Sequence, residues 1–119
     1  MKHGRKISGG KYKKGRKKRL YELQGQRREV KLGEEKRKTL TIMGGNKKTL
    51  LLKANLVNVR VGNKIQKMAI KNVLETPSNR FLARQNILSK GTIVQTENGK
   101  VRITNRPSQE GMVNGVLVE

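Results

Sequence analysis

The first nineteen residues constrain the fold most, because they contain ten lysines and arginines, four glycines and no acidic residue. A segment of this composition cannot bury enough apolar surface to offset the entropy lost when a chain becomes ordered. It is therefore predicted to be disordered in the free protein. Its charge density favours a strongly anionic partner, and the commonest partner of that kind is the backbone of a nucleic acid.

The positive charge continues through the rest of the chain. In total there are 29 lysines and arginines and 8 acidic residues, which gives a formal net charge of +21. Residues 1–38 carry 16 basic and 4 acidic side chains, a net charge of +12, and residues 39–119 carry 13 and 4, a net charge of +9. We therefore divide the chain into a basic N-terminal extension (1–38), disordered when free, and a β-barrel domain (39–119) that must also present a basic face.

The composition argues against most classes of catalytic and metal site. The chain has no cysteine and no aspartate, and its single histidine, His3, lies in the extension. A disulfide framework, a zinc knuckle and a Ser-His-Asp triad are thus excluded, and we predict a protein that is not an enzyme and binds no cofactor or metal. No apolar run approaches the ~18 residues of a membrane span, so a cytoplasmic protein without membrane contact is expected.

The strand prediction rests on alternation of apolar and polar residues, which begins at Thr39. Turn signals separate the alternating segments, and the clearest are Gly44-Gly45-Asn46, Gly62-Asn63 and Asn98-Gly99. Strands are predicted at 39–42, 49–53, 56–61, 64–74, 92–96, 101–104 and 113–118. Residues 80–87 fit either a strand or one helical turn, and we assign them to an extended strand.

About seven short strands without a long helix indicate an all-β domain. A two-sheet sandwich would be poorly filled, because the chain has one Phe, two Tyr and no Trp. The prediction is a small closed or partly closed β-barrel of about six to seven short strands, since closure also removes exposed strand edges. The predicted core residues of this barrel are Val59, Ile70, Val101, Ile103 and Val116.

Candidate RNA-binding residues occur in the extension and in one hairpin. The ring of Tyr12 can stack on an unpaired base. The Gly44-Gly45 turn exposes backbone N–H groups and is followed by two lysines that can neutralise phosphates, although the same residues also suit an ordinary hairpin. The residues predicted to bind RNA are Lys2, Arg5, Lys6, Lys11, Tyr12, Lys13, Lys14, Arg16, Lys17, Lys18, Arg19, Arg27, Arg28, Lys36, Arg37, Lys38, Asn46, Lys47 and Lys48.

Cations also recur along the predicted strands, where they would lie on the outer face of the barrel. Such a series is usually a solvated face, but the lack of balancing acids favours contact with a polyanion. The sequence has no aromatic-rich RNA-binding motif and no helix for a major groove, so we expect recognition by backbone charge and shape. The cations of this outer face are Arg60, Lys64, Lys67, Lys71, Arg80 and Arg84.

Three motifs, in order along the chain, resemble those of a known family. The first is Arg5-Lys-Ile-Ser8-Gly9-Gly10, followed by the basic run to Arg19 and by Tyr21-Glu22-Leu23. The second is the Gly44-Gly45-Asn46 turn with Lys48, and the third runs from Lys90-Gly91 through Thr104-Asn-Arg106-Pro107 to Leu117. Over essentially its whole length the chain resembles the archaeal and eukaryotic-type ribosomal protein eight of the small subunit. It departs from the family pattern at Leu20, Gln24 and Met43.

This resemblance implies a structural constituent of the small ribosomal subunit, in which a β-barrel lies on ribosomal RNA and a basic extension is threaded into it. The absence of the large insertion of eukaryotic members indicates the archaeal form. The other expected partners are neighbouring small-subunit ribosomal proteins, and we expect a monomer outside the ribosome. Two alternatives stay open: a ribosome-assembly factor that shares the barrel and, from another class, a nucleoid-type DNA-binding protein.

Overall fold

Alternating segments and tight turns form nine strands in the computed structural model, which describes residues 4–13 and 15–118. The all-β prediction is confirmed, and the helical segments of these residues are short: 3-10 turns at Leu20–Glu22 and Met43–Gly45 and the helix α1 at Arg80–Arg84. Within the same residues no helix is long and apolar enough to cross a membrane. The strands are β1 (Val30–Leu32), β2 (Lys36–Thr41), β3 (Lys47–Ala54), β4 (Leu56–Val61), β5 (Lys64–Glu75), β6 (Ile87–Leu88), β7 (Ile93–Thr96), β8 (Gly99–Ile103) and β9 (Asn114–Val118).

Five strands close into a barrel in the order β4-β5-β7-β8-β9. The barrel closes because β4 pairs in parallel with β9, with Val59 opposite Gly115. The predicted barrel is thus confirmed, but it contains five strands and not six or seven. The hairpin of β2 and β3 does not enter it, because β3 pairs with β1 and β1 pairs with β6. These strands form a separate four-stranded sheet of order β2-β3-β1-β6.

The four-stranded sheet and the barrel share one hydrophobic core. Val30, Leu51 and Leu88 from the sheet belong to the same buried cluster as the barrel residues. Burial of these side chains against the barrel therefore holds the two sheets together. Four of the five predicted core residues are buried as expected, namely Val59, Ile70, Val101 and Ile103.

The fifth predicted core residue, Val116, is 41% exposed, so that prediction is wrong. Gly115, the residue before Val116 in β9, is buried and faces inward. A Cβ atom at Gly115 would lie 2.4 Å from Val101 Cγ1 and 3.0 Å from the Arg102 carbonyl oxygen. The strand therefore needs glycine at its inward position, and the valine that follows it faces outward.

The prediction of an extended strand at 80–87 is also wrong, because Arg80–Arg84 form α1. Asn79 caps this helix: its Oδ1 accepts a hydrogen bond of 3.0 Å from the Phe81 N–H. Such a cap satisfies one of the free N–H groups at a helix start and stabilises the first turn. The chain becomes extended only at Ile87–Leu88, which form β6.

The four-stranded sheet includes residues that the sequence analysis assigned to the extension. β1 begins at Val30, which is 1% exposed, and β2 begins at Lys36. The radius of gyration is 20.8 Å, whereas a compact chain of this length has a value of about 13–14 Å. The first part of the extension therefore projects from the body, whereas residues 24–29 line a cleft together with residues of the body. The disorder of the extension in the free protein stays a prediction.

Candidate nucleic-acid interface

The described part of the extension begins with a narrow loop between Arg5 and Lys11, which form an isolated antiparallel bridge. The loop turns at Gly9, whose φ of +78° lies in the left-handed region that favours glycine. Two backbone hydrogen bonds close it, from Lys6 N–H to the Gly10 carbonyl oxygen (2.9 Å) and from Gly9 N–H to the Lys6 carbonyl oxygen (2.8 Å). The Ser-Gly-Gly motif thus folds the basic segment back on itself and raises its local charge density.

Tyr12 follows this loop and is 56% exposed. The Lys6 Nζ lies 5.7 Å from the centroid of its ring, which is within the range of a cation–π contact. An exposed ring with a cation over it brings together the two groups that single-stranded nucleic-acid binders use, an aromatic ring and a positive charge. Two further predicted binding residues, Lys2 and Lys14, lie outside the described residues.

The second basic run leads into a compact turn held by an ion pair. Arg16 donates two hydrogen bonds to Glu22, of 2.8 Å from Nη1 and 2.5 Å from Nη2. Glu22 also accepts a hydrogen bond of 3.0 Å from the Arg19 N–H. The 3-10 turn between them leaves Leu20 (86%) and Tyr21 (76%) strongly exposed. Tyr21 is thus a second exposed ring beside the basic run, which the sequence analysis did not select although it belongs to the Tyr-Glu-Leu motif.

The ion pair makes this turn sensitive to pH. The Arg16 guanidinium holds the pKa of Glu22 below its usual value, with a smaller contribution from the Arg19 N–H. The same hydrogen bonds raise the pKa of Arg16. A carboxylate with a lowered pKa stabilises the ordered turn above the unfolded pKa of about 4.3, and this stabilisation is lost as the pH falls through the lowered value.

We therefore expect the carboxyl group of Glu22 to titrate below pH ~4.3 in NMR spectra of the intact chain. The Arg16→Gln substitution should move the titration midpoint up towards that of an unpaired glutamate, because the main donor is lost. The signals of the barrel should not change and serve as the internal control. An ordinary midpoint for Glu22 in the unsubstituted chain would mean that the turn is not formed in the free protein, in line with the predicted disorder of the extension.

The Gly44-Gly45 hairpin has the geometry that the sequence predicts. Both glycines have positive φ angles, +74° and +73°. The Ile42 N–H donates to the Asn46 carbonyl oxygen at 2.7 Å and closes the turn between β2 and β3. The positive φ angles explain why this turn needs glycine, because other residues adopt this conformation only with strain.

The three predicted binding residues of this hairpin differ in whether they form hydrogen bonds within the protein. The Asn46 side-chain amide donates to the Met43 carbonyl oxygen (3.4 Å), within its own turn. The half-buried Lys48 donates from Nζ to Gln109 Oε1 (2.5 Å), in a loop that lies far away in the sequence. Lys47 is exposed. Of these three predicted binding residues, Lys47 is therefore the one best placed to contact a phosphate.

Arg27 and Arg28 line an open cleft of about 640 Å³ between the end of the extension and the body. The lining also includes Lys90, after β6, Arg106, in the loop after β8, and one acidic residue, Glu29. Cations from two parts of the chain thus meet around one cleft. An opening of this kind focuses positive potential and can accept an anionic polymer segment.

The predicted residues of β2 divide between the two faces of the strand. Arg37 forms an ion pair with Glu35, so its charge is partly neutralised. Lys36 and Lys38 occupy the alternate positions and are exposed. Lys31 and Lys53, which the sequence analysis did not select, lie beside Lys36 across the sheet. The strand register is the signal that identifies them, because register brings residues of different strands together.

The six cations of the predicted outer face are exposed and are distributed over β4, β5 and α1. Arg60 lies opposite Ile65, and Lys67 lies opposite Asn58, so Arg60 and Lys67 share one face of the β4–β5 hairpin. Lys64 stands at the turn of this hairpin, opposite Val61. The body thus presents these cations to solvent, as predicted. Strand alternation accounts for Arg60 and Lys67, whereas Lys64 is exposed because it stands at the end of its strand.

Few of the positive charges of this chain are neutralised by acidic side chains of the protein itself. In residues 4–13 and 15–118 the ion pairs are those of Arg16 with Glu22 and of Arg37 with Glu35. Every lysine and arginine in these ranges except Lys48 is exposed. No group of three His, Cys, Asp or Glu side chains that could hold a metal ion occurs in this part of the chain. A large positive charge without internal partners is typical of a surface that binds polyanions.

Residues 1–118 match the family described as Ribosomal protein S8e. The chain belongs to this family. The resemblance inferred from the three sequence motifs is therefore confirmed.

Several archaeal relatives of this S8e-family chain cover most of its length. It is 47% identical over 118 residues to the small ribosomal subunit protein eS8 of Staphylothermus marinus, which covers 97% of this chain and 92% of the relative. The protein of the same name from Nanoarchaeum equitans is 45% identical over 117 residues, with 97% and 92% coverage. That of Haloarcula marismortui is 39% identical over 115 residues, with 97% and 94% coverage. The similarity to archaeal proteins agrees with the archaeal form expected from the sequence.

The predicted binding residues of this S8e-family chain fall into three places. The described cations of residues 5–19 lie in the projecting extension, Arg27 and Arg28 lie at the cleft, and Lys36, Lys38 and Lys47 lie on the four-stranded sheet. The remaining sheet and hairpin residues, Arg37, Asn46 and Lys48, have partners within the protein.

Proposed function

We propose that the chain is a structural constituent of the small ribosomal subunit and binds ribosomal RNA through its basic extension and the basic faces of its body. The observation that carries this proposal is the exposure of nearly all described cations with only two ion pairs among them. The relatives are named small ribosomal subunit proteins, and this is not a family of enzymes. Its location is the ribosome in the cytoplasm, where neighbouring ribosomal proteins are its other partners.

Binding of this kind is driven mainly by neutralisation of phosphates. Each lysine or arginine that contacts a phosphate releases condensed counterions, which favours association and makes it salt-dependent. Phosphate contacts fix position but do not read sequence. Specificity for ribosomal RNA therefore depends on the shape of the folded RNA, which a projecting basic segment can follow.

The extension and the body have different roles in this proposal. The body offers a preformed surface, because its core begins at Val30 and its strands are held in register. The segment before Val30 becomes ordered along the RNA, and this ordering costs conformational entropy. The loop at Gly9 and the turn at Leu20–Glu22 reduce that cost, because they already hold parts of the basic segment in defined conformations.

Co-sedimentation combined with RNA crosslinking tests the proposal. A tagged copy of the intact chain is expressed in archaeal cells, its small subunits are washed at high salt, and ultraviolet crosslinks from the chain are mapped. We expect the chain to remain on mature subunits and to crosslink to their ribosomal RNA. A chain found only on precursor particles would be an assembly factor. Equal affinity for duplex DNA and for folded ribosomal RNA would indicate a nucleoid-type protein.

A further inference from the structure

Three lysines form a row across adjacent strands of the four-stranded sheet. Lys36 on β2 lies opposite Lys53 on β3, and Lys53 lies opposite Lys31 on β1. Residues directly opposite each other point to the same face of a sheet, and neighbouring strands lie about 4.8 Å apart. The row therefore places three amines on one face within about 10 Å of sheet width. All three lysines are exposed.

The row lies on the face of the sheet that is turned away from the barrel. On β2, Arg37 lies opposite Leu51, which belongs to the core shared with the barrel. The register shifts between Lys36 and Arg37, where β3 has one extra residue, Leu52. Along β2 itself, Lys36 and Lys38 alternate with Arg37 and therefore point to the other face. Lys38 lies opposite Leu50, and Lys31 lies opposite Ile87. Leu50 (0% exposed) and Ile87 (2%) are buried, so the lysines occupy exposed positions beside covered parts of this face.

The fold holds these charges together without neutralising them. Neither of the two ion pairs of the described residues involves a lysine of the row. Like charges directly opposite each other in a sheet disfavour its pairing. The stem of Lys53 passes close to Gly33, because a Cβ atom on Gly33 would lie 3.6 Å from Lys53 Cδ. Repulsion within such a row lowers the stability of the free protein, and an anion that binds to the lysines relieves that repulsion.

We propose that Lys31, Lys36 and Lys53 form a binding site for the phosphates of an RNA backbone on the folded body, separate from the extension. This site rests on the proposed function and adds to it a rigid contact point. A lysine amine is a compact cation that suits phosphate oxygens. An RNA strand that crosses the three β-strands would bring its phosphates past the amines in turn.

The test is a salt titration of the binding constant of the full-length chain on purified small-subunit ribosomal RNA. Each phosphate contact that is lost lowers the slope of log affinity against log salt by about 0.7–0.9. The Lys53→Gln variant should lose about one such step, and the triple variant K31Q/K36Q/K53Q about two or more. The matched control is Lys100→Gln, an exposed lysine of β8 that lies opposite Val118 and Gln95 and not opposite a cation. We expect its slope to stay close to that of the unsubstituted chain.

The melting temperature of the free variants gives a second readout that a merely structural lysine would not produce. Removal of Lys53 relieves repulsion, so its melting temperature at low salt should be equal to or above that of the unsubstituted chain. Lys53→Arg keeps the charge and should keep the slope. Normal binding by the unsubstituted chain with an unchanged slope in Lys53→Gln would overturn the site alone. Failure of the unsubstituted chain to bind ribosomal RNA would overturn the proposed function and, with it, this site.

Discussion

The Gly115→Val variant is expected to lose much of the stability of the barrel. A Cβ atom at this position would lie 2.4 Å from Val101 Cγ1, 3.0 Å from the Arg102 carbonyl oxygen and 3.4 Å from Val57 Cγ2. Overpacking a filled core typically costs about 1–3 kcal/mol, and the approach to a backbone atom puts this site at the upper end of that range. For a domain of this size, a loss of about 3 kcal/mol lowers the melting temperature by roughly 10–20 °C.

Thermal unfolding followed by circular dichroism measures this effect. Val116→Thr, on the next residue of β9, is the control, and its change in stability should be within about 0.5 kcal/mol because that side chain faces outward. Val101→Ala makes room for an added Cβ atom, so the Gly115→Ala/Val101→Ala chain should be more stable than the sum of the single effects predicts. A Gly115→Val chain that melts like the unsubstituted one would mean that β9 does not face the barrel interior at this position.

The hairpins could be predicted from the sequence because their signals are local. Positive φ angles occur at Gly62, in the turn that connects β4 to β5, and at Gly99, where β8 begins after the turn from β7. Such turns favour glycine or asparagine, and the alternating residues on either side indicate which segments pair. The sequence alone therefore identifies these strands and their antiparallel neighbours.

The division of strands between barrel and sheet could not be predicted, because it depends on distant pairings. β1 pairs with β3 through Lys31 and Lys53, and β4 pairs with β9 through Val59 and Gly115. No local pattern encodes these partners. The outward orientation of Val116 also depends on distant residues. Val101 and Val57, on other strands, fill the space around Gly115, so the residue that follows Gly115 points outward.

The short helix α1 was missed for a different reason. Five residues are too few to distinguish a helical period from strand alternation. The signal that could have identified it is Asn79, a favoured capping residue just before the segment. Leu82 is the buried residue of this helix, and its burial stabilises the helix against the body.

The parts of the candidate interface that depend on composition could be predicted from the sequence. The parts that depend on how distant strands pair could not. The charge of the extension can be read directly from the chain, and so can the exposed position of Lys47 after a glycine turn. The contact of Lys48 with Gln109 joins residues 61 positions apart. The lysine row likewise exists only because β1, β2 and β3 pair in one particular register.

Deletion of residues 1–19 is expected to have the largest effect on RNA binding. It removes ten cationic side chains, and each phosphate contact contributes about 0.7–0.9 to the salt dependence of the binding constant. The slope of log affinity against log salt should therefore fall by several units, even if not every cation makes a contact. The body should stay folded, because its buried cluster begins at Val30. The sheet face and Lys47 would then retain weaker binding that is less sensitive to salt.

The matched control for the deletion is a full-length chain in which the ten lysines and arginines of residues 1–19 are replaced by glutamine, because it removes the same charge without shortening the chain. The most direct measurement is a salt titration of the binding constant on purified small-subunit ribosomal RNA, for the intact chain, the deletion and this control. We expect a steep slope for the intact chain and much shallower slopes for the other two, with unchanged melting of the body. A deletion that leaves both the affinity and the slope intact would contradict binding through the extension and would mean that the body alone binds the RNA.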